Sequence, residues 1–412
     1  MVFRTSPMRK RNALITLNQS LTAITLIAAL GLGLALPDVA TAHEEEEGGG
    51  IETEAGMTWY LQSSKGASDA NGGDGTDLTY TFDLILSGQV GDHGTAVVAF
   101  EGGGGEGIDR RLQSLSTANY DAFVTDLISL NPGTGEVLTD LQALSISQLY
   151  YSHSYRDAKI VLDVGKLDVH SYYDQNAYAN DETEQFMSGI FTRTAGTGYG
   201  EFTHYYAPGV VANFALGSMV DLTVGAASTG GHFEGGGFND FGHRSAAATQ
   251  INFKPTIAGH DGNYRLYVIW DDRVYIDLNG NETANTVWGL SFDQAVANGF
   301  GLFARYSNQN GDIEENSIKT TWSVGALIEG GAWRRGDDAI GIGYGSVNVN
   351  DKSLEFAGDP NAADETRLEV FYRFTFSDKF ALTPDIQVIG NNGGDKTSDT
   401  ITVYGIRGQV NF

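Results

Sequence analysis

The twelve residues from Ile401 to Phe412 constrain the fold more than any other stretch. They read Ile-Thr-Val-Tyr-Gly-Ile-Arg-Gly-Gln-Val-Asn-Phe. Thr402, Tyr404, Ile406, Gly408, Val410 and Phe412 share one parity, and Arg407, Gln409 and Asn411 share the other. A period of two marks a strand with one apolar and one polar face. The sequence stops on the aromatic ring with no tail after it. In water a bare amphipathic strand is a hazard, because its free edge recruits other strands. In a bilayer it has a place only in a sheet that closes on itself.

Similar runs recur from Ala55 onward. They begin near Met57, Thr76, Thr95, Leu141, Lys159, Gly209, Val220, Ser245, Asn263, Thr286, Phe300, Ile318, Asp338, Thr366, Phe380 and Ile401. About sixteen strands, an even number, fit an all-β, transmembrane antiparallel β-barrel. The connections alternate in length. Gly91–Gly94, Gly217–Met219, Ala297–Gly299 and Ser377–Lys379 are short, whereas 64–75, 229–244, 274–285, 350–365 and 390–400 are long. Short turns on one side and long loops on the other are the outer-membrane pattern, and both termini then fall on the periplasmic side. No stretch outside the N-terminus reaches the ~18 apolar residues of a spanning helix.

Arg9, Lys10 and Arg11 precede an apolar stretch from Leu21 to Leu36, and Ala40-Thr41-Ala42 is an A-x-A cleavage signal. Residues 1–42 therefore read as a secretory signal peptide, 43–54 as an acidic N-terminal segment and 55–412 as the barrel. There is no cysteine, so disulfides and thiolate chemistry are excluded. Glycine is abundant at 54 residues, Tyr and Phe number 19 and 21, and proline is scarce at 7. Gly-rich turns and aromatic girdles suit the same fold. The net charge is −27, and removing the four basic residues and Asp38 of residues 1–42 leaves −30. Such a field excludes nucleic acid as a partner and concentrates cations; loop acids that merely solvate the surface are the plainer reading.

Charged side chains on the lipid face near the midplane cost about 2–4 kcal/mol each, so they must turn inward. Leu368, Val370, Tyr372, Phe374 and Phe376 then face lipid, and Arg367, Glu369, Phe371, Arg373 and Thr375 face the lumen. In the run near Asn263, Leu266, Val268 and Trp270 point out, and Arg265, Tyr267 and Asp271 point in. The inward parity elsewhere holds Asp83, Lys254, Asp293, Arg305, Lys319, Asp385 and Arg407.

Two connections, 102–140 and 165–206, are too long to be plain turns. The first opens on Gly102–Gly105 and continues through Leu112, Leu115, Tyr120, Phe123, Val124, Leu127 and Leu130, a spacing that predicts an amphipathic helix. The second contains Gly165-Lys166-Leu167-Asp168, then Asp174-Gln175-Asn176-Ala177-Tyr178-Ala179-Asn180-Asp181-Glu182-Thr183-Glu184-Gln185-Phe186. Here the chain resembles the carbohydrate-selective porin family of the OprB type, which carries a similar G-K-L-D segment followed by D-x-N-x-x-A-N-D-E-T-x-Q-F. The match is close over 165–191 and looser from about 55 to 412. The resemblance implies sixteen strands, two long loops folded into the lumen as a constriction, and passive diffusion of sugars or other small polar solutes.

Tyr172, Tyr173 and Tyr178 offer ring faces to a sugar. Asp174, Asn176, Asn180, Asp181 and Gln185 offer hydrogen-bond partners for hydroxyls. Lys166, Asp168 and Glu182 lie in the same segment, and Arg110 and Arg111 are basic candidates at the constriction. The alternative to solute contact is that these residues pack the loop against the wall. A second function class is an ion-conducting porin without sugar preference.

His43–Glu47 reads as an acidic tail, and His232, Glu234 and His243 as loop residues, so no metal or other cofactor is expected. His153, His170 and His204 lie near serines or acids, yet no G-x-S-x-G-type nucleophile motif accompanies them, and no enzyme is expected. The expected partners are outer-membrane lipid, small solutes such as sugars and ions, and the barrel-insertion machinery with which terminal aromatics are associated. A homotrimer is an assembly common among porins. The expected location is the outer membrane of a Gram-negative bacterium.

Overall fold

A computed structural model describes residues 50–69, 72–105, 107–121, 145–194, 206–228 and 245–412. The proposed signal peptide, His43–Glu47, His204, the loop 229–244, and Phe123, Val124, Leu127 and Leu130 lie outside the described residues.

The strands are β1 (Ile51–Lys65), β2 (Gly75–Val90), β3 (Gly94–Gly105), β4 (Ser145–Tyr155), β5 (Ile160–Asp168), β6 (Tyr206–Ala215), β7 (Val220–Ser228), β8 (Ser245–Phe253), β9 (Thr256–Ile257), β10 (His260–Ile276), β11 (Glu282–Ala297), β12 (Phe300–Gln309), β13 (Ile318–Glu329), β14 (Ala339–Val349), β15 (Glu365–Ser377), β16 (Phe380–Gly390) and β17 (Ile401–Asn411). β9 is a two-residue ribbon on the turn into β10. The other sixteen each pair antiparallel with both neighbours, and β17 returns to β1, so the barrel closes. The closing register runs from Gly56 opposite Asn411 to Lys65 opposite Thr402. Phe412 extends it by donating its N–H to the Ala55 carbonyl at 3.0 Å.

The period of two sorts side chains as expected. Tyr404, Ile406, Leu266, Trp270, Leu368 and Phe374 are exposed on the outer wall. Arg265, Asp271, Asp293, Arg305, Arg367, Glu369, Phe371, Asp385 and Arg407 are buried on the inner side. Buried charges survive there by pairing: Arg265 and Asp293 meet at 2.5 Å.

Five expectations change in detail. β1 begins at Ile51, so the last four residues of the expected acidic segment are already strand. The 274–285 stretch is no long loop. Tyr275 pairs with Thr283 and Ile276 with Glu282, leaving a turn of Asp277–Asn281, whose Asp277 side chain accepts the Asn279 and Asn281 N–H groups. Aromatic and β-branched residues prolonged the hairpin, and only Asp-Leu-Asn-Gly-Asn holds turn chemistry. Lys319 is exposed, because an irregular register between Ile318 and Thr320 turns Ile318 inward instead. Lys254 lies beyond β8, where it pairs with Asp221 at 2.7 Å. The helix expected from Leu112 onward is interrupted: a single turn, Asp109–Leu112, is stopped by left-handed Gln113, and helical backbone resumes only at Tyr120 and Asp121, where the described residues of this loop end.

At the closure, Trp59 lies opposite Gly408, and a Cβ on Gly408 would come within 2.2 Å of the indole. A Cβ on Gly405, in the same strand, would meet only ordinary contacts at 3.5 Å. Gly408→Val should therefore destabilise the barrel by about 1–3 kcal/mol through overpacking, and Gly405→Ala should not. The temperature at which the folded gel band converts to the unfolded band checks this; equal temperatures for the two variants would refute it.

Candidate functional site: two loops clamped inside the barrel

Two long connections leave the ends of β3 and β5 and enter the lumen. The approach to the second is set by Gly165 within β5, whose φ of 148° brings it against β4: a Cβ there would lie 2.3 Å from the Leu149 carbonyl oxygen. Only glycine suits that close approach. The chain then turns over Asp168, whose carboxylate accepts the His170 N–H at 3.1 Å.

From there the wall receives the loop in sockets left by glycines. Inward-facing positions of β14 read Ala339, Gly341, Gly343, Gly345 and Val347. Phe186 and Phe191 lie over Gly343, and Ile190 over Gly345. Tyr178 covers Gly301 of β12, and the Tyr173 hydroxyl reaches Gly225 of β7. Phe186 packs on Phe191, Phe303 and Phe371 with ring centroids 5.0, 5.4 and 5.0 Å away, in tilted or edge-on geometry. Such pairs add about 0.5–1.5 kcal/mol each beyond area burial.

Charged wall residues then satisfy the loop backbone. Arg305 of β12 is buried under it. Its Nε reaches Asp174 Oδ1 at 3.2 Å, its Nη2 donates to the Asp174 carbonyl at 2.8 Å, and its Nη1 donates to the carbonyls of Ala179 and Phe191. Asp174, at φ 57°, also accepts the Thr194 N–H at 2.7 Å. Glu369 of β15 accepts the N–H groups of Met187 and Ser188 at 2.6 and 3.0 Å. Arg407 of β17 donates to the carbonyls of Glu182 and Gln185, and Tyr60 of β1 donates to Glu182 as well.

The first loop is held in the same way. Glu365 accepts N–H groups from Leu115 and Ser116, and Arg367 donates to the Ser116 carbonyl at 2.6 Å. Gln387 donates to the Ala118 carbonyl at 2.8 Å. The two loops also bond each other, Tyr120 N–H to the Met187 carbonyl at 2.9 Å and Gly189 N–H to the Thr117 carbonyl at 3.0 Å. They form one shelf across the lumen.

This places the sequence candidates. Tyr173, Asp174 and Asn176 are buried and bonded to the wall or loop. Tyr172 donates to Asp163 at 2.8 Å. Asn180 accepts from Arg193, and Gln185 ties the Asn180 and Asp181 N–H groups to the Ala177 carbonyl. Asp168 caps the turn described above. Lys166 shares the outward parity of Val164, and its ammonium donates to the Ile146 carbonyl at 2.7 Å, so it stands away from the constriction. Alternation along β5 puts it there: Asp163 and Leu167 take the inward places. Arg111 grips Asp77 by two nitrogens, at 2.5 and 3.2 Å, while Arg110 is exposed. Asp181 is exposed, and Tyr178 and Glu182 are half-buried. Arg373 is also half-buried, paired with Glu184 at 2.7 Å. Sequence reasoning missed Arg193 and Glu365, and the inward parity of β15 was the signal that could have found Glu365.

The shelf carries carboxylates with altered proton affinity. Burial pushes the Glu182 carboxyl up to about 8; Arg193 opposes this, and the charges of Asp181 and Asp121 add to it. Burial lifts Asp121 to about 6 against hydroxyl donors from Thr81 and Tyr60, and Asp181 lifts it further.

A closed barrel with an inward shelf of polar loops has the architecture of a porin. A profile of the carbohydrate-selective porin OprB family matches residues 68–412, and the chain belongs to that family. A porin of Chlamydia pneumoniae, Porin AaxA, is 22% identical over 274 residues, which cover 65% of this chain and 59% of that protein. The high-pH structure of Pseudomonas putida OprB superposes with a TM-score of 0.72 at 18% identity, covering 88% of this chain and 94% of that one. An anion-selective porin from Comamonas acidovorans superposes at 0.56 and 10% identity, covering 89% and 100%.

Two outcomes follow. Arg305→Ala leaves Asp174 and two loop carbonyls without their donor, a local loss of about 3–5 kcal/mol; single-channel recordings should show larger, noisier conductance while the barrel stays folded. Raising pH from 5 to 9 deprotonates Asp121 and then Glu182, so reversal potentials should shift toward cation preference, and Glu182→Gln should remove the portion near pH 8. A pH-independent reversal potential would contradict that assignment.

Proposed function

We propose that this protein is a porin in the outer membrane of a Gram-negative bacterium, admitting small polar solutes, carbohydrates foremost, by passive diffusion into the periplasm. The observation that carries the reading is the shelf itself. Clamped loops narrow the lumen, yet a polar path through it needs only weak, multiple contacts for solute to enter and leave. In this reading Tyr178, Asp181 and Glu182 meet the solute, and the buried motif residues hold the shelf. A family of channels argues against an enzyme in the barrel.

The decisive test is reconstitution. Liposomes bearing the protein should swell in isotonic glucose, and planar bilayers should conduct; no sugar flux and no conductance above empty membranes would end the proposal. The acidic trio Asp121, Asp181 and Glu182 favours one second reading, a cation-conducting porin without sugar preference. Strong cation selectivity with no block by added sugar would favour it. Assembly as a homotrimer is tested by cross-linking in detergent.

Phe412 is exposed at the short-turn end of β17. We assign it to recognition by the barrel-insertion machinery and to the interfacial girdle. Deleting it should lower insertion yield several-fold and leave the conductance of inserted channels unchanged; altered conductance would place this strand end in the pore.

A further inference from the structure

Below the shelf, at the short-turn mouth, lies a second polar space, bordered by two wall-to-loop contacts, Arg373 to Glu184 and Gln409 to Thr183. It is a cavity of about 230 Å³ between the Glu184 turn of the second loop and the ends of β15, β16 and β17. Its planar polar groups are Glu184, Asp337, Arg373, Asp378, Gln409 and Asn411, and Phe380 borders it. We propose that this cavity is an exit subsite for a single polyhydroxylated ring, occupied after solute passes the constriction. The inference rests on the sugar-porin reading above and extends it to a place in the pore.

Four observations support it. The size lies below that of drug-sized pockets, about 300–1,000 Å³, and suits one small ring. The groups are carboxylates, amides and a guanidinium, which present donors and acceptors side by side, as adjacent hydroxyls on a ring do. Arg373 spends Nη1 on Glu184 at 2.7 Å while its side chain stays partly exposed, so the guanidinium edge is held in one orientation at the cavity. Three acids against one arginine disfavour an anionic ligand.

The test uses the full-length protein in planar bilayers with glucose and maltose as probes. Asn411→Ala and Asp378→Ala remove groups for which the structure shows no side-chain bond, and retention of the folded gel band controls for assembly. Each should weaken sugar-induced block about three- to ten-fold, the scale of one lost hydrogen bond, with conductance in salt alone unchanged. Asn411→Trp should fill the cavity and abolish the weak block. Block constants equal to the parent's would overturn the subsite while leaving sugar flux, and the porin reading, intact. A shift in reversal potential without a change in block would also overturn it, by making the cavity a cation site. Absence of any sugar flux through the parent protein would remove the porin reading itself.

Discussion

Everything in this molecule depends on the need to satisfy backbone hydrogen bonds where water is scarce. In hydrocarbon that need forces the sheet to close, and β1 and β17 meet over ten residue pairs to close it. Inside the lumen the same need falls on the loops. A loop that enters a barrel brings N–H and C=O groups with no ladder to join. Here Arg305, Glu369, Glu365, Arg367 and Arg407 take the place of a neighbouring strand. Buried wall charges thus act chiefly as partners for loop backbone, and only secondarily as a field.

The glycines complete that logic. A wall strand that must present a charged clamp at one position and accept a phenyl ring at another cannot carry side chains at every inward place. β14 keeps three glycines on its inner face: Phe371 of the wall covers Gly341, the Phe186–Phe191 pair covers Gly343 and Ile190 covers Gly345. Loop aromatics and wall glycines are therefore two halves of one packing unit, set by sequence positions about 150 residues apart. A substitution on either side would be felt at the shelf before it was felt at the barrel.

Strand count, parity and closure could be read from the sequence because they are local: two-residue alternation and turn chemistry are carried by neighbouring residues. The terminal run from Ile401 to Phe412 sufficed to find the class of fold. The site was less readable. Asp174 and Asn176 looked like hydroxyl-binding groups, and their chemistry is indeed hydrogen bonding, but their partners are Arg305, Thr194 and Ser291. Whether a polar loop residue faces solute or wall depends on contacts more than a hundred residues distant, and a single sequence does not encode those by spacing. Lys166 failed for a simpler reason, since the alternation along β5 already placed it outward.

That redistribution changes where selectivity must lie. A group bonded to the wall by two or three short hydrogen bonds has little left to offer a passing solute, and using it would weaken the shelf. A permeation path needs groups that remain exposed when the loop is fully satisfied. On the shelf these are Asp181 and, partly, Glu182 and Tyr178. Below it they are Asp378 and Asn411 in the cavity beside Arg373. The most family-specific segment of the chain thus spends most of its polar groups on the wall and on itself. In the proposed reading, chemical discrimination between solutes rests on the few side chains that these bonds leave exposed.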